Sequence, residues 1–103
     1  MNDQKKIFFS VIIPFNKFNI YLEENLNSFL IQEFKNFEII LVGNEDLDKF
    51  NNFKKKLNLI YIKVNYRNPT KKRNLAISKA KGEYVVFIDD DAYAEKNWLA
   101  GYF

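Results

Sequence analysis

The chain has 103 residues, of which 48% are hydrophobic and 17% aromatic, and this is enough apolar material for the buried core of one domain. Sixteen Lys or Arg residues against 13 Asp or Glu residues leave a net charge of only +3, so we expect no nucleic-acid partner. The sequence contains no cysteine and no histidine, which excludes disulfides and nucleophile schemes that depend on histidine. Any metal ion must then be held by oxygen ligands, which favours Mg²⁺ or Mn²⁺ over Zn²⁺.

Strand-like and helix-like patterns alternate along the chain. Short apolar runs such as residues 7–13 are typical of strands buried on both faces, and amphipathic stretches such as residues 20–32 are typical of helices packed against them. In chain order, the sequence predicts strands at 7–13, 37–42, 59–64 and 84–88, helices at 20–32, 45–57 and 70–81, and a last short helix that carries Trp98 and Leu99. Asn19 and Thr70 are predicted to cap the first and third helices, and Gly82 to end the third.

This alternation predicts the overall architecture. Strands that alternate with helices pair in parallel, so the expected fold is a three-layer, Rossmann-like α/β/α sheet. Right-handed crossovers limit the topologies, and 3-2-1-4 is the expected strand order. In such a sheet, ligands bind beyond the carboxyl ends of the strands where the order reverses, which here is between the first and fourth strands.

Two charged groups fall where that crevice is expected. Three aspartates at 89–91 follow the fourth strand, and like charges near apolar surroundings are costly unless they are paired or bound to metal. Residues 71–73, Lys-Lys-Arg, occupy the first turn of the third helix, where the helix dipole disfavours cations unless an anion faces them. A divalent metal that bridges the carboxylates to a diphosphate would satisfy both groups. Two simpler interpretations stay open: residues 89–91 as an acidic turn in solvent, and residues 71–73 as a solvated basic surface.

Several stretches of the sequence resemble the nucleotide-binding half of the family 2 glycosyltransferases, which have the GT-A nucleotide-diphospho-sugar transferase fold. The matching stretches are "SVIIPFNK" at 10–17, "SFLIQEFKNFEIILV" at 28–42 and "KKRNLAISKAKGEYVVFIDDDAY" at 71–93, followed by "NWL". The resemblance covers nearly the whole chain. It implies transfer of a sugar, with inversion, from a UDP-, GDP- or dTDP-linked donor to a hydroxyl of a glycan or lipid-linked acceptor.

The resemblance also implies roles for single residues. Asp89 and Asp91 match the Asp-x-Asp pair: Asp91 would ligate Mg²⁺ or Mn²⁺ directly, and Asp89 would contact the ribose, or the metal through water. Asp90 fills the variable place between them, within the nucleotide-sugar site. The other implied nucleotide-binding positions are Pro14, Phe15 and Asn16 in the loop around the nucleoside, and Arg73 and Asn74, with Lys72 beside them, near the base and diphosphate.

The sequence departs from the family pattern at two places. Gly43 stands where the family has an aspartate that binds the base, so base recognition is expected to be altered, weaker, or shifted to Asn44 or Glu45. The family's acceptor site and catalytic base lie further along, so residues 1–103 are expected to be the donor-binding part of a domain whose base lies beyond Phe103. A non-catalytic nucleotide-binding or interaction module derived from the same fold is the alternative. A third hypothesis is a phosphoryl-accepting receiver domain, but the residues "PFN" after the first strand argue against it.

Two further expectations concern location and assembly. The N-terminal segment resembles a signal peptide superficially, but its apolar run is too short, and no segment reaches the roughly 20 apolar residues that span a membrane. The expected location is therefore the cytoplasm, or the inner face of the membrane for a longer chain. The apolar fourth strand is expected to be an unprotected edge that pairs with a second copy of the chain.

Overall fold

The computed structural model describes residues 6–103, apart from the side chain of Leu47, so the start of the N-terminal segment considered above lies outside the description. The strands are β1 (Phe9–Pro14), β2 (Phe37–Gly43), β3 (Leu59–Lys63) and β4 (Tyr84–Phe87), and the helices are α1 (Ile20–Phe29), α2 (Asn51–Lys56) and α3 (Pro69–Lys79). Short 3₁₀ helices lie at Leu47–Phe50 and Ala100–Tyr102. Between residues 6 and 103, no helix combines the length and the apolar character needed to cross a membrane.

The four strands form one parallel sheet in the order β3-β2-β1-β4, as the sequence predicts. The register pairs Val11 of β1 with Ile39 of β2 on one side and with Val86 of β4 on the other. From β1 the chain proceeds to β2 and β3 in one direction and later returns to place β4 on the opposite side of β1. The order therefore reverses between β1 and β4, and their carboxyl ends frame a crevice.

Apolar residues of β1 alternate between two cores, one on each face of the sheet. Val11 and Ile13 pack on the face covered by α1, together with Leu22 and Leu26 of that helix. Ile12 packs on the other face, where Ala76 of α3 belongs to the same cluster. This alternation follows from the two-residue repeat of a strand, and burial on both faces explains why β1 reads as one continuous apolar run.

Helix boundaries differ more from the predictions than strand boundaries do. The first helix ends at Phe29 rather than at residue 32, although Asn19 caps it as predicted through hydrogen bonds of 3.1 Å from the backbone N–H groups of Tyr21 and Leu22. The predicted helix at 45–57 is divided into a 3₁₀ turn and α2. The division falls at Phe50, whose ring is fully buried between Phe15, Phe18 and Tyr61, so tertiary packing overrides the helical pattern.

The start of α3 and the turn after it also correct the sequence predictions. Asn68, not Thr70, is the cap: its Oδ1 accepts a hydrogen bond of 3.1 Å from the Lys71 N–H, and Pro69 occupies the first turn, where its fixed φ suits a helix. Gly82 has no positive φ and does not end the helix. Its role is close packing, because a Cβ there would lie 2.6 Å from the backbone nitrogen of Ser10.

The last predicted helix is also wrong in its position. Trp98 and Leu99 lie in a turn, and the 3₁₀ helix begins one residue after them, at Ala100. Leu99 is fully buried, and its backbone N–H donates to Gln32 Oε1 at 3.2 Å. This contact with the segment after α1 fixes the position of the turn.

Candidate functional site

A cleft of about 330 Å³ lies at the carboxyl edge of the sheet between β1 and β4. Its lining comes from three separate parts of the chain, two of which carry the charged residues. The lining residues are Pro14, Phe15, Asn16, Arg67, Pro69, Lys72, Arg73, Asp89, Asp90 and Asp91. Asn44, Glu45 and Asn74, which were also predicted for the site, do not line the cleft, and two residues that do, Arg67 and Pro69, were not predicted.

The acidic side of the cleft is the acidic turn, residues 89–92, which follows β4. The Ala92 N–H donates to the Asp89 carbonyl at 3.1 Å, which places Asp90 and Asp91 at the tip of this turn. Asp89 and Asp91 are exposed, whereas Asp90 is half-buried. Burial raises the pKa of the Asp90 carboxyl, and the negative charges of Asp91 and Asp89 raise it further. The three carboxylates thus repel one another within the turn.

The cationic side of the cleft consists of Arg67 and Arg73. Arg73 lies in the first part of α3, is half-buried and lines the cleft. Arg67 lies in the loop between β3 and α3 and is exposed. A loop arginine outside any helical pattern gives no sequence signal of its own. Lys71 does not line the cleft, because its Nζ lies 5.1 Å from the ring centre of Tyr66.

Lys72 lies beneath the cleft with only 1% of its surface exposed. Its ammonium group donates to the carbonyl oxygen of Phe15 at 2.6 Å, to Asn16 Oδ1 at 2.6 Å and to Asn44 Oδ1 at 2.9 Å. An ammonium group has three hydrogens, so these acceptors occupy all of them. Lys72 therefore joins the loops after β1 and β2 to α3, and it does not present its donors to a phosphate.

Burial lowers the pKa of Lys72, and the positive charge of Arg67 lowers it further, whereas the negative charge of Asp90 acts in the opposite direction. Two cations are thus close together at the cleft, with no carboxylate hydrogen-bonded to the buried one. An anion bound in the cleft would offset this repulsion.

Asn44 lies behind the cleft, and its side-chain amide is hydrogen-bonded to other parts of the protein. Its Nδ2 donates to the carbonyl oxygens of Val64 and Tyr66, both at 2.9 Å, while its Oδ1 accepts from Lys72. Glu45, the other residue considered for the base, accepts from the Phe18 N–H at 3.3 Å. The loop after β2 is therefore fastened by its own hydrogen bonds.

The position of the Phe15 ring explains why residue 43 is a glycine. The ring of Phe15 is 3% exposed and packs against Phe50 and Tyr61 in the core, so only the backbone of Phe15 is available to shape the cleft. A Cβ at Gly43 would lie 2.4 Å from atoms of this ring. The glycine that departs from the family pattern is thus the residue that the position of the Phe15 ring requires.

No group of three or more Asp or Glu side chains between residues 6 and 103 is already gathered as a metal site. The acidic turn nevertheless supplies only oxygen donors, which are the ligands that Mg²⁺ and Mn²⁺ prefer.

Comparison with known proteins identifies the class of this fold. The crystal structure of Staphylococcus aureus TarS residues 1–349 in complex with UDP-GlcNAc superposes with a TM-score of 0.83 at 35% identity, over 92% of this chain and 30% of that one. The fold is therefore the GT-A fold of glycosyltransferases.

The family follows from the sequence match. The model of the family described as "Glycosyl transferase family 2" matches residues 10–101. The chain therefore belongs to glycosyl transferase family 2.

Two curated relatives show how much of such proteins the chain spans. The poly(ribitol-phosphate) beta-N-acetylglucosaminyltransferase TarS of S. aureus is 36% identical over 99 residues, which cover 88% of this chain and 17% of TarS. The poly(ribitol-phosphate) beta-glucosyltransferase of Bacillus spizizenii is 38% identical over 93 residues, which cover 82% of this chain and 15% of that protein. The chain thus spans less than a fifth of the length of these relatives.

Proposed function

We propose that the chain is the donor-binding part of a metal-dependent glycosyltransferase that transfers a sugar, with inversion, from a nucleoside diphosphate sugar to an acceptor hydroxyl. The observation that carries the proposal is the pairing of opposite charges across one cleft at the switch point of the sheet. The acidic turn forms one side, and Arg67 and Arg73 form the other. A diphosphate between them would pair directly with the arginines and would require a cation on the carboxylate side.

In this proposal the two arginines hold the diphosphate. Guanidinium groups match phosphate oxygens in a two-pronged geometry, and they stay charged at every relevant pH. Lys72 contributes indirectly by fixing Asn16 and the carbonyl of Phe15 at the end of β1. The nucleoside would lie against Pro14 and Asn16, because the Phe15 ring faces the core.

We assign the metal to Asp91, as a direct ligand, and to Asp89, directly or through water. Both carboxylates are exposed at the cleft, beside Asp90, whose pKa is raised first by burial and then by their negative charges. A divalent cation would offset the repulsion among the three carboxylates. Mn²⁺ or Mg²⁺ suits this oxygen donor set. When bound, the ion would neutralise charge on the leaving diphosphate.

The acceptor and the catalytic base are placed at none of the described residues. The two curated relatives are named for poly(ribitol phosphate), and the acceptor of a complete enzyme would be a glycan or a lipid-linked chain that offers a hydroxyl group. UDP is the first nucleotide to test, since TarS is solved in complex with UDP and with UDP-GlcNAc.

Titration calorimetry with UDP, GDP and dTDP, each with and without Mn²⁺, tests the proposal. We expect at least one nucleotide to bind in the presence of Mn²⁺ and to lose about tenfold or more in affinity without it, since the metal supplies the counter-charge. Failure of all three to bind with Mn²⁺ would overturn the proposal. Sugar release by a longer version of the protein distinguishes a transferase from a nucleotide-binding module of the same fold.

A second copy of the chain is the proposed partner of β4. This strand lies at the edge of the sheet, and its Tyr84 and Phe87 side chains are 56% and 46% exposed. Exposed apolar edge strands pair readily with other chains. Light scattering at increasing concentration should detect a dimer, and replacing Val85 by proline should abolish it. A monomer at every concentration would contradict this pairing.

A further inference from the structure

Three buried polar side chains line the inner face of α1 and the turn after it. Asn25, Ser28 and Gln32 are each 1% exposed or less. A polar side chain in such a place requires hydrogen-bond partners, and each of the three has at least one in the segment that follows β4. Ser28 Oγ accepts from the Ala94 N–H at 3.1 Å, and Gln32 Nε2 donates to the Glu95 carbonyl at 2.6 Å.

Asn25 contacts the acidic turn itself. Its Nδ2 donates to the carbonyl oxygen of Asp89 and to that of Ala92, both at 2.9 Å. These are the first and last residues of the acidic turn, which the Ala92 N–H closes by its own bond to the Asp89 carbonyl. The two hydrogens of one amide group therefore bridge the base of the turn whose tip carries Asp90 and Asp91.

The other half of the Asn25 amide makes no comparable contact. Its Oδ1 is buried and accepts no hydrogen bond from the described part of the protein. An unpaired buried acceptor costs free energy that an apolar side chain of the same shape would not. What the amide provides in exchange is direction, since its two donors fix the orientation of the turn relative to α1.

We propose that Asn25 is a positioning residue that aims the acidic turn into the cleft. This inference rests on the proposed function, because it assigns a purpose to the orientation of Asp91 and Asp89. Asn25 does not line the cleft and acts only through the turn. The sequence alone gives no hint of it, because a single asparagine on a helix carries no pattern.

The test compares Asn25→Leu with Gln32→Met. Both changes replace a fully buried amide by an apolar side chain of similar size on the same side of the sheet. Only the first removes contacts to the acidic turn; the second removes contacts to Glu95 and Leu99, further along. If Asn25→Leu does not fold, Asn25→Ala is measured in its place.

Amide hydrogen exchange, read without any ligand, is the first measurement. We expect the Ala92 amide to exchange about tenfold faster or more in Asn25→Leu, while sheet amides such as that of Ile39 keep their relative protection. In Gln32→Met the change should appear at Leu99 instead. Unchanged exchange at Ala92 in Asn25→Leu would overturn the inference, whatever the protein binds.

The second measurement is the affinity for Mn²⁺ in the presence of UDP, followed by the loss of the electron paramagnetic resonance signal of free Mn²⁺. We expect Asn25→Leu to weaken it by about tenfold and Gln32→Met to change it by less than about twofold. Equal losses in the two variants would reduce Asn25 to a general structural role and overturn the inference. Absence of UDP-dependent Mn²⁺ binding in the unmodified chain would instead count against the proposed function. In that case hydrogen exchange at Ala92 would still test the positioning role of Asn25.

Discussion

Two charged side chains are buried at opposite edges of the same sheet, and each is 1% exposed. Lys72 lies at the carboxyl edge, where β1 and β2 end. Glu38 lies near the amino edge, as the second residue of β2. Within residues 6–103 the only ion pair, Lys63 with Asp46, lies at the surface, so neither buried charge has a charged hydrogen-bond partner.

The two charges differ in what their partners do. Glu38 Oε2 accepts from Ser10 Oγ at 2.6 Å and from the Lys81 N–H at 2.7 Å, and Ser10 Oγ in turn accepts from the Gly82 N–H at 2.8 Å. These contacts join strands to a closely packed turn. The partners of Lys72 include Asn16, which lines the cleft. The comparison teaches that burial of a charge does not by itself mark a functional site; the position of its partners does.

Lys72→Met should break the carboxyl-edge network and give the largest effect. The change leaves the Phe15 carbonyl, Asn16 Oδ1 and Asn44 Oδ1 without their donor, at a cost to the free energy of unfolding of about 3 kcal/mol. Urea denaturation measures that cost. Because the loop after β1 loses its anchor, UDP affinity with Mn²⁺ should also fall by about tenfold at a temperature where the variant is folded. Unaltered UDP affinity in the folded variant would show that Lys72 does not support the binding site.

Glu38→Gln is the matched change at the amino edge. Glutamine still has an oxygen that can accept hydrogen bonds, so the loss is mainly the charge assistance, about 1–2 kcal/mol in the free energy of unfolding. Since no partner of Glu38 lines the cleft, UDP affinity should stay within about twofold of the unmodified chain. A loss of affinity as large as that of Lys72→Met would erase the distinction between the two edges.

Arg67→Gln should affect binding and spare stability, the reverse of Glu38→Gln. Arg67 is exposed, so the free energy of unfolding should change by less than about 0.5 kcal/mol. UDP affinity should fall by about fivefold, less so at high salt, because one phosphate contact is lost. Lys79→Gln, an exposed cation at the other end of α3, is the control and should leave calorimetric affinity unchanged. Equal effects of the two changes would indicate a general charge effect only.

The smallest effect concerns pH and the Lys72 ammonium. Burial lowers its pKa, the positive charge of Arg67 lowers it further, and the negative charge of Asp90 raises it. Between the folded pKa and the ordinary value near 10.5, the unfolded chain therefore binds more protons than the folded one. Stability from this group therefore rises with pH across that window. The stability advantage of the unmodified chain over Lys72→Met, measured by urea denaturation from neutral to alkaline pH, should increase. A decrease would show that the hydrogen bonds to the three acceptors raise the pKa of Lys72 more than burial lowers it.

The sequence predicted the strands and their order because continuous apolar runs such as that of β1 have few other interpretations. It also predicted that the acidic turn and the first turn of α3 meet at one cleft, because parallel strands end at the same edge. Helix limits depended on tertiary contacts that no local pattern contains. The burial of Phe50 divides one helix, and the amide of Gln32 holds the turn that was predicted to be helical.

The roles of individual site residues were harder to predict for the same reason. The sequence alone indicates a phosphate-binding cation at Lys72, and only the structure shows its three acceptors. Phe15 belongs to the loop expected around the nucleoside, and only the structure shows that its ring lies in the core. Asn44 was one of two residues considered for contact with the base, and its amide makes hydrogen bonds to Lys72, Val64 and Tyr66. Hydrogen-bond partners far apart in the chain decide these roles.

The most direct test of the central claim is calorimetric titration of UDP, with and without Mn²⁺, into Asp91→Asn and into Asp48→Asn. Asp48 is an exposed carboxylate on the 3₁₀ turn before α2 and does not line the cleft, so its variant controls for loss of one negative charge. The account predicts that Asp91→Asn loses the Mn²⁺-dependent gain in UDP affinity and that Asp48→Asn keeps it. An Asp91→Asn protein that retains the full Mn²⁺-dependent gain would contradict it.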